Sequence, residues 1–402
     1  MANDRPRAEP SERKIVAFGA GLFATLPLST DLMLIALPRI AQDFHTALAG
    51  AQGVMAAFTL GFAAAHLVIG GLADHFGRRP VAIVGLTAFA LCAVAAVWAP
   101  TLEVLIGLRF VQGCAGATGP ILMRALVRDA VTGPRSARVL SWTGAASGVA
   151  PLLAPLVGAA ATEIAGWPAN FVILGTYAAL LAVAVALLLP ETLAPESRVS
   201  SLLGAPHKAL LELAPNPAFR RGVLILAFGY GALFTWLSTA PFLLIGDLGM
   251  APRAAALIFA AGPAGFIAGN LLSAKLSGKW SPARIVLTAA TLALAGLIAA
   301  YGLVTTHRAQ PVVLGAAMLP FYIGWGIIQP QAIAVAMMPF RHMAGQASSW
   351  LGAIQQLGGI VLGAVAVYFG GGRASLMVMV TCVVAIGAVA LFSSRNHSGQ
   401  PG

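Results

Sequence analysis

Twelve apolar runs, each about long enough to cross a bilayer as a helix, decide what this chain can become. They fall near 15–37, 52–73, 81–98, 101–123, 138–162 and 168–189, then near 221–245, 253–274, 284–304, 311–338, 345–369 and 374–393. A hydrocarbon core of about 30 Å takes roughly 20 helical residues. Within lipid each backbone N–H and C=O must find its partner inside the protein, which a helix achieves within one segment. The chain is 59% hydrophobic and 9% charged over 402 residues, against about 25% charged residues in soluble domains. No sizeable soluble domain fits. The expected fold is an all-α polytopic membrane protein with 12 transmembrane helices, and the first span is expected to be retained rather than cleaved as a signal peptide.

The runs divide six and six around the longest connection. This predicts an N-terminal tail at 1–14, a six-helix bundle at 15–189, a central loop at 190–219, a second bundle at 220–393 and a tail at 394–402. Two pseudo-symmetric six-helix bundles are what parallel repeats of a transporter produce. A period of three supports the division. Spans three, six, nine and twelve lack charged and amide side chains in their interiors, so they read as lipid-facing supports. The others hold Asp31, His66, Arg109 with Gln112, Asn270, Gln329 with Gln331, and Gln355 with Gln356. Polar side chains in a membrane face protein or water, so these spans are expected to line a cavity between the bundles.

The net charge of +11 reports topology. Of the 24 Lys and Arg residues, 19 fall in loops and tails on one side, four (Arg39, Arg253, Arg308 and Arg373) on the other, and Arg109 within the membrane. That bias puts both termini, and the 190–219 loop, in the cytoplasm. The basic residues are expected to meet anionic lipid head groups, not nucleic acid. Cys92, Cys114 and Cys382 all lie in apolar runs and give no disulfide framework. No phosphate-binding Gly-rich loop ending in Lys-Ser/Thr is present, so ATP is not expected as the energy source. No metal-ligand cluster and no cofactor are expected.

Two charges stand out in the membrane. Asp31 lies seven residues before Pro38, and Arg109 seven residues past the start of the fourth span. At 1.5 Å per residue both are about 10 Å deep from the same face. Charges at one level are buried more cheaply as partners or near-partners than apart. In the competing arrangement Asp31 ends its helix at the interface and Arg109 snorkels outward. Desolvation disfavours an ionised carboxyl, so Asp31 is the candidate proton carrier, with Arg109 favouring its ionised form when the two approach.

Three other stretches carry chemistry. The loop Gly70-Gly71-Leu72-Ala73-Asp74-His75-Phe76-Gly77-Arg78-Arg79 puts two cations and an acid on a tight turn. In the fifth span Gly144, Gly148, Pro151, Pro155 and Gly158 recur at three- and four-residue steps and share one face, which permits close contact and bends the backbone. Aromatic residues gather in spans seven and ten: Tyr230, Phe234, Trp236, Phe321, Tyr322 and Trp325. Pockets for drug-sized molecules are largely apolar and aromatic; core packing and interfacial anchoring use the same residues. The expected cavity set is Asp31, Gln112, Tyr230, Phe234, Trp236, Tyr322, Trp325 and Gln355, while His66 reads as a packing or hydrogen-bonded residue.

These motifs resemble known ones. The 70–79 loop resembles the signature between helices two and three of the major facilitator superfamily, with His75 where a basic residue is common. Ser29-Thr30-Asp31 with Ala36-Leu37-Pro38, Leu108-Arg109-Phe110-Val111-Gln112-Gly113, Val127-Arg128-Asp129, and Arg341-His342-Met343-Ala344-Gly345 are similar to motifs of its Bcr/CflA-type drug:proton antiporters. The fifth-span motif resembles the antiporter helix of that superfamily, with Ala159 in place of a second Gly. Close packing and a role in antiport are both open for it. The resemblance implies the major facilitator fold and a cytoplasmic latch of Gly70, Asp74, Gly77, Arg78, Arg79, Arg128 and Asp129 that holds the outward-facing state. It also implies a monomeric, proton-coupled exporter of small lipophilic neutral or monocationic drugs in a bacterial inner membrane. A metabolite exporter or uniporter of the same fold is the alternative. A polytopic membrane enzyme is disfavoured, because one Asp and one Arg do not make a converging catalytic set.

Overall fold

The computed structural model describes residues 12–130, 149–193, 198, 206–306 and 310–397. Among the described residues eleven helices are long and apolar enough to cross a membrane, and the shorter apolar helix Val149–Ala165 occupies the place of the fifth span. The first half comprises α1 (Glu12–Leu34), a short α2 (Leu37–Asp43), α3 (Leu48–His66) continued by α4 (Ile69–Phe76), and α5 (Arg78–Val97). It continues with α6 (Leu102–Gly116) and α7 (Thr118–Ala130), then α8 (Val149–Ala165) and α9 (Pro168–Leu188). A short α10 (Pro206–Leu213) precedes the second half, which comprises α11 (Pro217–Pro241, continued by a π turn to Asp247), α12 (Pro252–Leu276), α13 (Pro282–Thr305), α14 (Pro311–Met337), α15 (Ala344–Tyr368) and α16 (Gly372–His397).

Helix starts follow local chemistry. Proline opens α9, α11, α12, α13 and α14, where its missing N–H costs nothing and its fixed φ suits the first turn. Side-chain oxygens of Thr101, Asn216 and Ser281 accept from backbone N–H groups in the first turns of α6, α11 and α13. The expected spans are refined in four places. Span two breaks at Leu67–Val68, and span four at Ala117. The 190–219 connection contains α10. Asn170 stands near the start of span six, buried, and donates to Thr162 Oγ1 of span five at 2.8 Å.

The two halves repeat one packing scheme. A Cβ on Gly61 of α3 would fall 2.0 Å from the Phe110 carbonyl oxygen of α6, and one on Gly113 of α6 the same distance from that of Phe58 in α3. In the second half Gly269 of α12 and Gly326 of α14 approach the Ile323 and Phe266 carbonyls in the same reciprocal way, at 2.2 Å each. Spans two and four thus cross backbone to backbone, as do spans eight and ten. Helices α5, α9, α13 and α16, which form spans three, six, nine and twelve, pack chiefly within their own half.

Extensive contact between the halves runs along two seams, α3 with α15 and α8 with α12. Polar bonds cross between the halves at the face where α1, α8 and α11 finish. Gln52 Nε2 donates to Ser238 Oγ of α11 at 3.0 Å, both buried. Arg253 of α12 meets Glu163 of α8 at 2.6 Å, with the arginine 74% exposed. Toward the other face His66 donates or accepts at Phe62 O through Nδ1, and its ring fills the space beside Gly352 of α15. Ser238→Ala strands the buried Gln52 amide and is expected to cost about 1–3 kcal/mol. Arg253→Gln, at an exposed pair, should change stability by no more than about 1 kcal/mol. Thermal unfolding of the two variants in detergent compares them.

Candidate functional site

The site is built around one turn of α1. Pro27 lies inside the helix and leaves a backbone carbonyl without its usual donor. Thr30 Oγ1 sits 3.3 and 3.2 Å from the Leu26 and Pro27 carbonyl oxygens and 3.0 Å from Asp31 Oδ1. One hydroxyl proton is therefore shared among three acceptors. Asp31 itself is half-buried. Gly158 of α8 brings that helix against the Leu32 carbonyl, where a Cβ would stand 2.4 Å away. The glycine-proline face of span five meets α1 right beside the carboxylate. Pro155 and Gly158 are buried and Pro151 half-buried, while Gly144 and Gly148 lie outside the described residues.

Arg109 is fully buried and is not ion-paired with Asp31. Its Nη1 donates to Ser29 Oγ at 2.9 Å and Gln112 Oε1 at 2.7 Å, its Nη2 to the Ser29 carbonyl at 3.0 Å, and its Nε to the Val54 carbonyl at 3.4 Å. The guanidinium carbon lies 4.3 Å from the centroid of the Phe58 ring. Neutral oxygens and an aromatic face supply what the expected carboxylate partner does not. The snorkelling arrangement is also absent: a wholly buried guanidinium reaches no head group.

The second half faces this turn with phenols. Asp31 is an electrostatic neighbour of both Tyr230 of α11 and Tyr322 of α14. Tyr230 also faces Gln356 of α15, and Tyr322 faces Trp236 of α11. The aromatic residues are seated on glycines. Tyr322 lies over Gly262, Tyr230 and Phe234 over Gly359, and Trp325 over Gly229, whose Cβ would fall 1.9 Å from the indole. Trp236 packs against Phe259, with ring centroids 6.1 Å apart. Of the two glutamines in span eleven, Gln356 is buried and Gln355 half-buried. Four named cavity residues, Asp31, Tyr230, Trp236 and Tyr322, are thus grouped with Gln356, and Gln112 reaches them through Arg109 and Ser29.

The 70–79 loop forms a second polar centre. Arg78 is buried between Asp74, at 2.6 Å, and Asp129, at 2.9 Å. Gly77, at φ +105°, makes the turn that leads into α5. Glu191, past the end of α9, accepts from the backbone N–H groups of Arg78 and Arg79 at 3.0 and 3.2 Å. A Cβ on Gly77 would collide with that carboxylate, at 2.4 Å. Arg79 donates through its guanidinium to the Ala186 carbonyl. These partners all belong to the first half. Arg128 lies in α7, but its side chain is outside the described set, as are those of Arg341 and His342.

Ser29, Val54, Phe58, Gln356 and Glu191 were missed by sequence reasoning. Ser29 stands inside the first-span motif and Glu191 directly after the last residues of span six, so position alone could have flagged those two. Val54 acts through its backbone, which no side-chain pattern reports.

The fold and its two polar centres are those of a polytopic transporter rather than an enzyme. The chain belongs to the Major Facilitator Superfamily, whose family model matches residues 17–364. It is 29% identical to the uncharacterized MFS-type transporter YdgK of Bacillus subtilis, over 87% of this chain and 88% of that one. It is 26% identical to multidrug resistance protein D of Escherichia coli, covering 94% and 96% of the two chains. A bicyclomycin resistance protein homolog of Haemophilus influenzae is also 26% identical, covering 94% and 95%. Among solved structures, a bacterial homolog of the human lysosomal transporter Spinster superposes with a TM-score of 0.76 over 96% of this chain and 98% of that one, at 16% identity.

Arg109→Lys is expected to destabilise the protein by about 1.5–3 kcal/mol, the range for hydrogen bonds to charged groups. A single ammonium cannot hold both oxygens of Ser29, Gln112 and Val54 while lying on Phe58. Thermal unfolding measures this, and Ser29→Ala should share the sign with a smaller effect.

Proposed function

We propose that the protein exports small lipophilic neutral or monocationic compounds in exchange for protons, by alternating access between its two halves. The observation that carries this reading is the Asp31 carboxylate. It sits in an apolar helix, outside ion-pair distance of Arg109, and faces two phenols of the opposite half. A carboxylate so placed is expensive to keep charged and is stabilised either by taking a proton or by meeting a cationic or hydrogen-bonding substrate. Protonation and substrate binding then exclude one another at one group. The matches to multidrug and bicyclomycin resistance proteins support drug-like substrates, and the Gly158 contact with Leu32 supports a part for the fifth-span face in moving α1.

In this reading the termini, the 190–219 connection and the 70–79 loop lie in the cytoplasm of a bacterium, and the protein works as a monomer in the inner membrane. The face carrying the Gln52–Ser238 and Glu163–Arg253 bonds is periplasmic. Those bonds close that side, and the Asp74–Arg78–Asp129 cluster, braced by Glu191, latches the cytoplasmic side when the halves rock.

The test is expression in a pump-deficient host challenged with a drug panel, with and without a protonophore. Wild type should protect against at least one lipophilic antibiotic and lose protection with the protonophore. Asp31→Asn, which keeps the shape and removes the titration, should abolish protection at equal protein levels. Full proton-driven efflux by Asp31→Asn would sink the reading.

A further inference from the structure

Four buried side-chain atoms around the centre have no hydrogen-bond partner: Gln112 Nε2, Trp236 Nε1, Tyr322 Oη and Gln356 Oε1. They come from four helices, α6, α11, α14 and α15. Buried polar atoms are nearly always satisfied, so a group of orphans beside one carboxylate needs a reason. Their chemistry is complementary. Gln112 has its oxygen occupied by Arg109 and offers only N–H. The indole of Trp236 offers only N–H, Gln356 Oε1 only accepts, and the phenol of Tyr322 does both.

These atoms are also held in place. Tyr322 cannot slide along its helix, because its ring fills the space over Gly262, with Cζ 2.4 Å from where a Cβ would stand. Trp236 is 1% exposed and wedged against Phe259. A fixed set of donors and one acceptor discriminates strongly against molecules that leave it unpaired. We propose that Trp236, Tyr322 and Gln356, with Gln112 on the Arg109 side, form a hydrogen-bonding subsite that selects ligands carrying an amide, or an equivalent paired acceptor and donor, on an apolar body. The amide oxygen takes the indole or phenol proton, and the amide N–H goes to Gln356. A lipophilic cation lacking such groups leaves all four atoms unpaired and gains only from Asp31.

The inference rests on the reading of the Asp31 cavity as the transport site, and it narrows the ligand class within it. The test is equilibrium binding to the purified full-length protein in detergent, at one pH and without a gradient. Two probes are used: chloramphenicol, an uncharged nitrophenyl amide, and tetraphenylphosphonium, an apolar cation without hydrogen-bonding groups. Tyr322→Phe and Trp236→Phe each remove one polar atom and keep the ring. Each is expected to shift the ratio of the two affinities about tenfold toward tetraphenylphosphonium, the scale of one hydrogen bond. Gln356→Met should shift it in the same direction, and thermal unfolding confirms that each variant is folded.

A ratio that stays within about threefold of wild type in all three folded variants would overturn the proposal, as would a wild type that binds tetraphenylphosphonium but not chloramphenicol. Neither result touches proton coupling, which the Asp31→Asn efflux assay decides separately. Failure of that assay with an intact shift in ratio would overturn antiport and leave the subsite standing.

Discussion

Once two helices are in lipid, no hydrophobic force draws them together; van der Waals contact does, and its depth depends on where a side chain is missing. In this protein the deepest contacts are glycine against carbonyl. Gly61 and Gly113 lock α3 to α6, Gly269 and Gly326 lock α12 to α14, and Gly158 sets α8 against α1. The functional centre depends on these approaches. The α3–α6 crossing brings the Val54 carbonyl and the Phe58 ring to Arg109, and the α8–α1 contact falls on the residue next to Asp31. Any side chain at these glycines pushes apart the groups that solvate the charge.

The solvation of Arg109 shapes the rest of the centre. A buried guanidinium needs its donors matched, and a carboxylate would match them most strongly. Here Ser29, Gln112 and Val54 do so instead. Because Ser29 contributes both its hydroxyl and its carbonyl, Arg109 grips the α1 turn that carries Asp31 without neutralising it. The guanidinium fixes the position of the carboxylate, and the charge of Asp31 is left to be answered by a proton, a substrate or the phenols across the interface.

Much of this was legible in the residues. Apolar runs of about 20 residues left no alternative to membrane helices, and their six-and-six spacing pointed to the repeated halves. The depth argument placed Asp31 and Arg109 at one level because helical rise is constant. It failed on their pairing because depth says nothing about azimuth, and because backbone carbonyls such as that of Val54 leave no mark in a side-chain pattern. The choice between Gln355 and Gln356 was equally closed to sequence: adjacent residues differ by about 100° around a helix, and only the packing partner, Tyr230, distinguishes them. Glu191 was hidden differently. It lies more than a hundred residues from Arg78 and acts on backbone N–H groups, so no motif spacing contains it.

Asp31 is alone among the described residues as a carboxylate set well inside a membrane span, and this has an electrical consequence. One carboxylate carries one proton. On the proposed exchange, export of an uncharged molecule moves a net positive charge inward in each cycle, so the membrane potential adds about 2.3 kcal/mol per 100 mV to the driving force. Export of a monocation against one proton moves no net charge, and only the pH difference remains to drive it. The same protein would therefore concentrate its two substrate classes to different limits, set by the cell's energetic state rather than by affinity.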